Sequence, residues 1–239
     1  MSIAKKFEVI ADEVYEKGKK DEYDKFWDSY QKNGSRTDYG QYAFAGYGFD
    51  SNNLYPKYDI KPTGACTGLF YNYTSKIRFS LKQRLEECGV VLDTSKITNF
   101  RTAFAYNYCI TEIPTLDLTS MTSTTGMFVE AQNLETIEKI IVTENTPAVD
   151  FTSCKSLENL IIEGTIGQNG FNVKACTKLS GASIVSIIEA LSTTTSGLTV
   201  TLSQTAVDNM VFPIVGNNGT YNSWTDLEQA KTNWTISLL

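Results

Sequence analysis

The chain has 239 residues, 41% of them hydrophobic and 20% charged, the balance of a folded protein and not of a disordered one. Its formal net charge is −6 and its sequence pI is about 4.8, which opposes a nucleic-acid partner, because phosphate binding needs a basic face. It contains no histidine, so Ser–His and Cys–His nucleophile pairs, His-ligated zinc and imidazole acid–base chemistry are excluded together.

In chain order, residues 3–32 read as a helix. Ile3, Phe7, Ile10 and Val14 are spaced 4, 3 and 4 apart, the seam of a heptad. A second stripe, Tyr23, Phe26, Trp27 and Tyr30, starts on a shifted face, and Asn33-Gly34-Ser35 closes the helix. A short terminal helix is marginal alone. The seam therefore either folds back on its own domain or joins copies of the chain, and self-association is the expectation. The charged start Met1-Ser2-Ile3-Ala4-Lys5-Lys6-Phe7-Glu8 lacks the apolar stretch of a signal peptide. No apolar run approaches the ~18 residues of a membrane span, so no membrane insertion is expected.

From residue 40 to 180 the chain repeats. Tyr58-Asp59-Ile60 leads to Phe70, Leu92-Asp93-Thr94-Ser95 to Phe104, and Leu116-Asp117-Leu118-Thr119 to Phe128, each over twelve residues. Ile140-Ile141-Val142 leads to Phe151 and Leu160-Ile161-Ile162 to Phe171 over eleven. The steps from Phe104 are 24, 23 and 20 residues, and the step from Phe70 is 34 because Lys82–Glu87 inserts a helix-like segment. A short apolar strand every 20–29 residues is the pattern of a leucine-rich solenoid, with the five phenylalanines as an internal spine.

Beyond residue 180 the pattern changes. Ser180 or Ser183 can cap a helix that buries Ile184, Ile187, Ile188 and Leu191. Leu198–Leu202 and Trp234–Leu238 alternate as strands, residues 204–211 and 225–231 read as helices, and Gly216–Gly219 as a loop. This divides the chain into an N-terminal oligomerisation or attachment helix (1–34), a repeat region (35–180) and a C-terminal capping region (181–239). The expected class is α/β: a right-handed leucine-rich-repeat solenoid with an N-terminal amphipathic helix and a C-terminal α/β cap.

Two resemblances extend this reading. Leu92–Phe100 with Ala103-Phe104, Leu116 through Met127-Phe128, Phe151-x-x-Cys154-x-x-Leu157-x-x-Leu160 and Cys176-x-x-Leu179 resemble the repeats of BspA-like leucine-rich proteins, over about residues 40–180. Over the whole chain, Ala4-Lys5-Lys6, Val14–Lys20, Tyr23–Asp28, Tyr58–Pro62 and Ile162–Phe171 are similar to leucine-rich-repeat proteins encoded in phages and prophages of gut Firmicutes. Gly216–Tyr221 departs from their pattern. The resemblance implies a non-enzymatic virion accessory or binding protein: a fibre, tail-tip or decoration component. It implies a homo-oligomer, trimer before dimer, that contacts other virion proteins and a host-surface glycan or protein. The alternative is a BspA-like adhesin on the bacterial surface. A carbohydrate-active enzyme working through carboxylates stands behind both, since no cleft with two facing carboxylates is legible.

Among candidate sites, Asp59, Asp93 and Asp117 recur at one repeat position. They read as solvated strand residues ahead of a Ca²⁺ or sugar ladder, because one carboxylate per ~5 Å step builds no oxygen cage. Tyr47, Phe49, Tyr71, Tyr73, Tyr106 and Tyr108 follow successive phenylalanines and would align into an aromatic strip, the candidate binding surface. Cys66, Cys88, Cys109, Cys154 and Cys176 are odd in number and widely spread, so they read as free thiols, with Cys154 and Cys176 in the core. No catalytic residue, metal ligand or cofactor is expected.

Overall fold

A computed structural model describes residues 59–71 and 77–239. The seam residues Ile3, Phe7, Ile10 and Val14 lie outside these described residues, as do Tyr47, Phe49 and Tyr73.

Short strands follow one another: β1 (Gly64–Ala65), β2 (Phe79–Ser80), β3 (Ile97–Asn99), β4 (Ile110–Ile113), β5 (Leu116–Asp117), β6 (Thr136–Val142), β7 (Asn159–Gly164) and β8 (Phe171–Asn172). Segments of two to seven residues cannot hold themselves. Each is held by a neighbouring pass of chain, laid parallel to it. Glu112 of β4 pairs with Thr136 of β6, and Thr136 pairs with Asn159 of β7. Along β6, Ile137, Ile140 and Val142 face the core. The pairing with β7 shifts between Ile137 and Ile140, which lets two residues three apart point inward.

The opposite side of each pass is laddered too, by turn backbone. Phe100, Thr102, Phe104 and Tyr106 donate their N–H groups to the carbonyls of Ser123, Thr125, Met127 and Val129 at 2.7–3.1 Å. Gly68, Thr102 and Gly126 occupy one position in successive turns, all with positive φ (65°, 51° and 63°). Glycine meets that demand without strain; Thr102 is forced into it.

Inside, the phenylalanine rings stack. Phe70 and Phe104 lie 5.1 Å apart at 9°, Phe104 and Phe128 5.5 Å at 12°, and Phe128 and Phe151 4.9 Å at 16°. Phe171 breaks the series, at 5.7 Å and 53°. The Phe151 N–H reaches the Asn172 carbonyl at 2.8 Å, and Asp150 bridges to Asn172. That register puts Val173 where a phenylalanine was expected, so the 20-residue alignment to Phe171 is two residues out.

The expected α/β leucine-rich-repeat solenoid is corrected by these observations. Among the described residues helix makes up only 16%, and the sheets are mixed, parallel and antiparallel. Among the described residues the strands fall into separate sheets of two, two, three and five, not one continuous parallel face. The physical reason lies in the return segments. Seven residues separate Phe128 from Thr136, too few for a stable helix on each pass. Hydrogen-bonded turns take its place.

Helices appear where the pattern is interrupted. α1 (Leu81–Cys88) fills the long 34-residue step; the Ser80 hydroxyl accepts from Gln83 N–H, and Gly89 ends it with φ 65°. α2 (Gly181–Ala190), capped by Ser180, lies along β7. β9 (Leu198–Leu202) runs between β8 and β12 (Trp234–Leu238), both parallel to it. α3 (Gln204–Asp208), the antiparallel pair β10 (Ile214–Val215) and β11 (Thr220–Tyr221), and α4 (Trp224–Gln229) complete this end. The segment after α2 is fastened by three side chains. Lys231 Nζ donates to the Leu191 carbonyl, and Asn233 Nδ2 and Trp234 Nε1 donate to the Ser192 carbonyl at 2.8 and 2.9 Å.

The five cysteines are free, and four are buried. Cys154 and Cys176 point their thiols at the carbonyls of Phe128 and Phe151, at 3.7 and 3.6 Å. Asn107 does the same to the Phe70 carbonyl with its amide, at 2.7 Å. The residue three after the spine position is therefore a donor to the preceding pass, not merely a small filler. Burial pushes the Cys176 thiol up to about 12 and the Cys154 thiol up as well. Thiolate is the reactive form. Burial raises the half-buried Cys88 thiol as well, so a thiol reagent should modify Cys88 ahead of the other four, which it reaches only on unfolding. Rapid loss of Cys154 or Cys176, read by peptide mapping, would contradict this packing.

Candidate functional site

Two tyrosines are brought together at the turn edge. Tyr71 directly follows Phe70, and Tyr106 follows Phe104 by two residues. Their rings meet edge to face, with centroids 5.6 Å apart and planes at 67°. Both are half-exposed. Tyr106 is held by its N–H bond to Val129 and by a positive φ of 54°, a conformation that costs a non-glycine residue about 1–2 kcal/mol. Tyr108 is half-exposed, stacks on neither ring among the described residues, and anchors its backbone by accepting Asn133 Nδ2 at 2.8 Å. Of the six aromatics expected in a strip, the structure thus joins Tyr71 and Tyr106 and sets Tyr108 apart. Tyr47, Phe49 and Tyr73 lie outside the described residues.

The edge changes chemistry on the next turn. Glu130 occupies Tyr106's position, again with positive φ (56°). Its carboxylate accepts from Gln132 Nε2 and from the Ser153 hydroxyl, the latter at 3.5 Å. Tyr71, Tyr106, Glu130 and Ser153 thus follow one another along one edge: ring, ring, carboxylate, hydroxyl. Sequence reasoning missed Glu130 because it looked for aromatics alone. The matching 24-residue step from Tyr106 was the signal that could have found it. An edge of this kind offers apolar ring faces for stacking, with polar groups beside them.

The recurrent aspartates turn the chain. Asp93 Oδ1 accepts the Ser95 N–H at 3.0 Å and hydroxyl at 2.6 Å; Asp117 Oδ1 accepts the Thr119 N–H at 2.9 Å and hydroxyl at 2.6 Å. Asp59 takes the Val91 N–H at 3.0 Å and pairs with Lys61 at 2.8 Å. These carboxylates are occupied by backbone N–H groups and by neighbouring hydroxyl and ammonium side chains. The Ser95 hydroxyl and N–H hold the Asp93 carboxyl below its ordinary 3.8. A depressed folded-state value adds stability above the unfolded value and loses it as pH falls through the folded one. Asp93→Asn should therefore differ from the parent in its pH dependence only below pH about 4. Parallel thermal melts check this; a difference appearing instead between pH about 5 and 7 would overturn it.

Carboxylates on the sheet face are closed into ion pairs. Lys82 lies 3.0 Å from Glu138 and 3.9 Å from Glu112, and the Ser80 hydroxyl donates to Glu112 at 2.6 Å. Lys82 and the Thr115 hydroxyl and N–H hold the Glu138 carboxyl below its ordinary value. A general acid needs the opposite shift. Among the described residues no three His, Cys, Asp or Glu side chains are grouped for a metal ion, and no helix is long and apolar enough to cross a membrane. No protein-family model, curated protein or solved structure matches the chain.

Proposed function

We propose that this protein is a non-enzymatic binding subunit that meets its partner through the tyrosine edge. The observation that carries the reading is the Tyr71–Tyr106 pair, two half-exposed rings fixed on a hydrogen-bonded turn ladder. Rigid aromatics lose little entropy on binding and concentrate interface energy. The ion-paired carboxylates of the sheet face support a binding role over hydrolysis. The resemblance of Ala4–Lys6, Val14–Lys20 and Ile162–Phe171 to phage and prophage proteins supports a place in the virion, as a fibre, tail-tip or decoration component facing a host-surface glycan or protein. The heptad spacing of Ile3, Phe7, Ile10 and Val14 supports a homo-oligomer, which would multiply weak single contacts, and the resemblance to viral fibres, not the seam, favours a trimer.

The test is adsorption of purified protein to host cells and to their extracted surface polysaccharide. Tyr71→Ala and Tyr106→Ala should each weaken binding by about 30-fold if they are hot spots, the factor that ~2 kcal/mol implies. Unchanged melting curves would assign the loss to the surface. Full binding by a folded Tyr106→Ala protein would remove the edge from the reading.

A further inference from the structure

The chain contains three Asn–Gly pairs, Asn33–Gly34, Asn169–Gly170 and Asn218–Gly219. The first lies outside the described residues. Asn–Gly is chemically labile because glycine leaves its amide nitrogen unshielded beside the asparagine carboxamide. The structure treats the other two pairs in opposite ways.

Asn169–Gly170 is locked. Asn169 Oδ1 accepts the Thr199 N–H at 2.8 Å, and the Gly170 N–H donates to the Thr199 carbonyl at 3.3 Å. Both groups that the reaction needs are tied to β9. Asn218–Gly219 is open. It forms the exposed tip between β10 and β11. Neither the Asn218 carboxamide nor the Gly219 N–H has a hydrogen-bond partner among the described residues, and apart from its two chain neighbours nothing lies within 4 Å of where a Gly219 Cβ would stand.

The tip is fastened by one carboxylate. Glu189, at the end of α2, accepts the N–H groups of Asn217 and Asn218, each at 2.8 Å, and the Tyr221 hydroxyl at 3.1 Å. Glu189 packs so close to Gly216 that a Cβ there would meet Oε1 at 2.3 Å. The clamp is built for a neutral tip.

We propose that Asn218–Gly219 is a self-modifying site whose deamidation unfastens the β10–β11 hairpin from Glu189. The Gly219 nitrogen attacks Asn218 Cγ, the N–Cγ bond forms, and ammonia leaves from the carboxamide. Water then opens the resulting five-membered imide at either carbonyl. One opening gives aspartate. The other gives isoaspartate, with the β-carbon threaded into the main chain. The net change is amide plus water to acid plus ammonia, with no oxidant and no enzyme. Either product places a new carboxylate on the residue whose N–H binds Glu189, and like charges at that range oppose each other. The isoaspartate also lengthens the tip, so the two N–H groups no longer meet one carboxylate. The reaction does not reverse in water, so it records the age of the molecule at this end of the fold.

The experiment incubates the full chain at mildly alkaline pH and follows both peptides by mass spectrometry. Asn218 should convert roughly tenfold or more faster than Asn169, the factor expected when two hydrogen bonds must first break. Asn218→Gln should block the conversion. The second readout is the Tyr221 phenol, which burial and its hydrogen bond to Glu189 push up to about 12. Its titration, isolated by difference from Tyr221→Phe, should fall in converted protein by the part that the Glu189 bond holds, while burial, the larger cause, keeps it above the ordinary value of about 10. Conversion of Asn169 as fast as Asn218 would overturn the assignment of the site. Complete conversion with the phenol unmoved would overturn the release of the clamp.

Discussion

Phe128→Ala should cost about 3–5 kcal/mol of stability, the range for truncating a fully buried aromatic. Phe128 has no exposed surface, and its ring lies between those of Phe104 and Phe151, stacked at 12° and 16°. Removing it opens a cavity with an aromatic wall on both sides. The backbone cannot collapse to fill it, because the same turn is pinned by Phe104 N–H to the Met127 carbonyl and Tyr106 N–H to the Val129 carbonyl. For a chain of this length the loss corresponds to a fall in Tm of about 6–20 °C. Phe128→Leu should recover part of it by refilling volume without the ring stacking. Thermal and urea unfolding followed by circular dichroism measure both. An unchanged midpoint for Phe128→Ala would mean that the ring stack does not hold the passes together.

The stack was legible because phenylalanine is a conspicuous marker and the chain repeats it at nearly constant spacing from Phe104 to Phe151. Leu198–Leu202 and Trp234–Leu238 were legible for a similar reason, since strict alternation is a strand signal at any level of context. The fold class was not. An apolar-x-apolar strand followed by a turn is common to several architectures, and the class depends on what returns the chain. That return is made by backbone hydrogen bonds between passes, such as Thr102 to Thr125, which no side chain announces. Phe171 misled for the converse reason. A marker residue was matched by type, while the backbone register put Val173 in its place. At the candidate site, spacing brought Tyr71 and Tyr106 close but predicted one strip. The change to Glu130 on the next turn was invisible to a search for rings, although it defines where the aromatic edge stops.

Ser183 and Ser186 carry the second large expectation; the sequence offered Ser183 only as an alternative helix cap, a place Ser180 takes, and gave Ser186 no role. β7 is an end strand of its sheet, so the N–H groups of Leu160 and Ile162 face away from β6. The serines of α2, three apart and on one helix face, receive them at 2.9 and 2.8 Å. Their hydroxyls also reach the carbonyls of Glu158 and Ile162, at 3.2 and 3.4 Å. Both serines are buried, at 1% and 7% exposure, so water cannot substitute. A helix thus supplies the donors and acceptors that a further strand would have supplied, and the edge is closed without one. Alanine at either position leaves a buried N–H unpaired, which costs about 1–3 kcal/mol, so Ser183→Ala/Ser186→Ala should lose about 2–6 kcal/mol. Amide hydrogen exchange gives the sharper test. In the double variant the Leu160 and Ile162 amides should lose protection before those of β6, because they alone depended on the serines. If both amides exchange as slowly as in the parent while stability falls, the helix acts by packing Ile184, Ile187 and Ile188 against the core, and the serines are not what closes the edge.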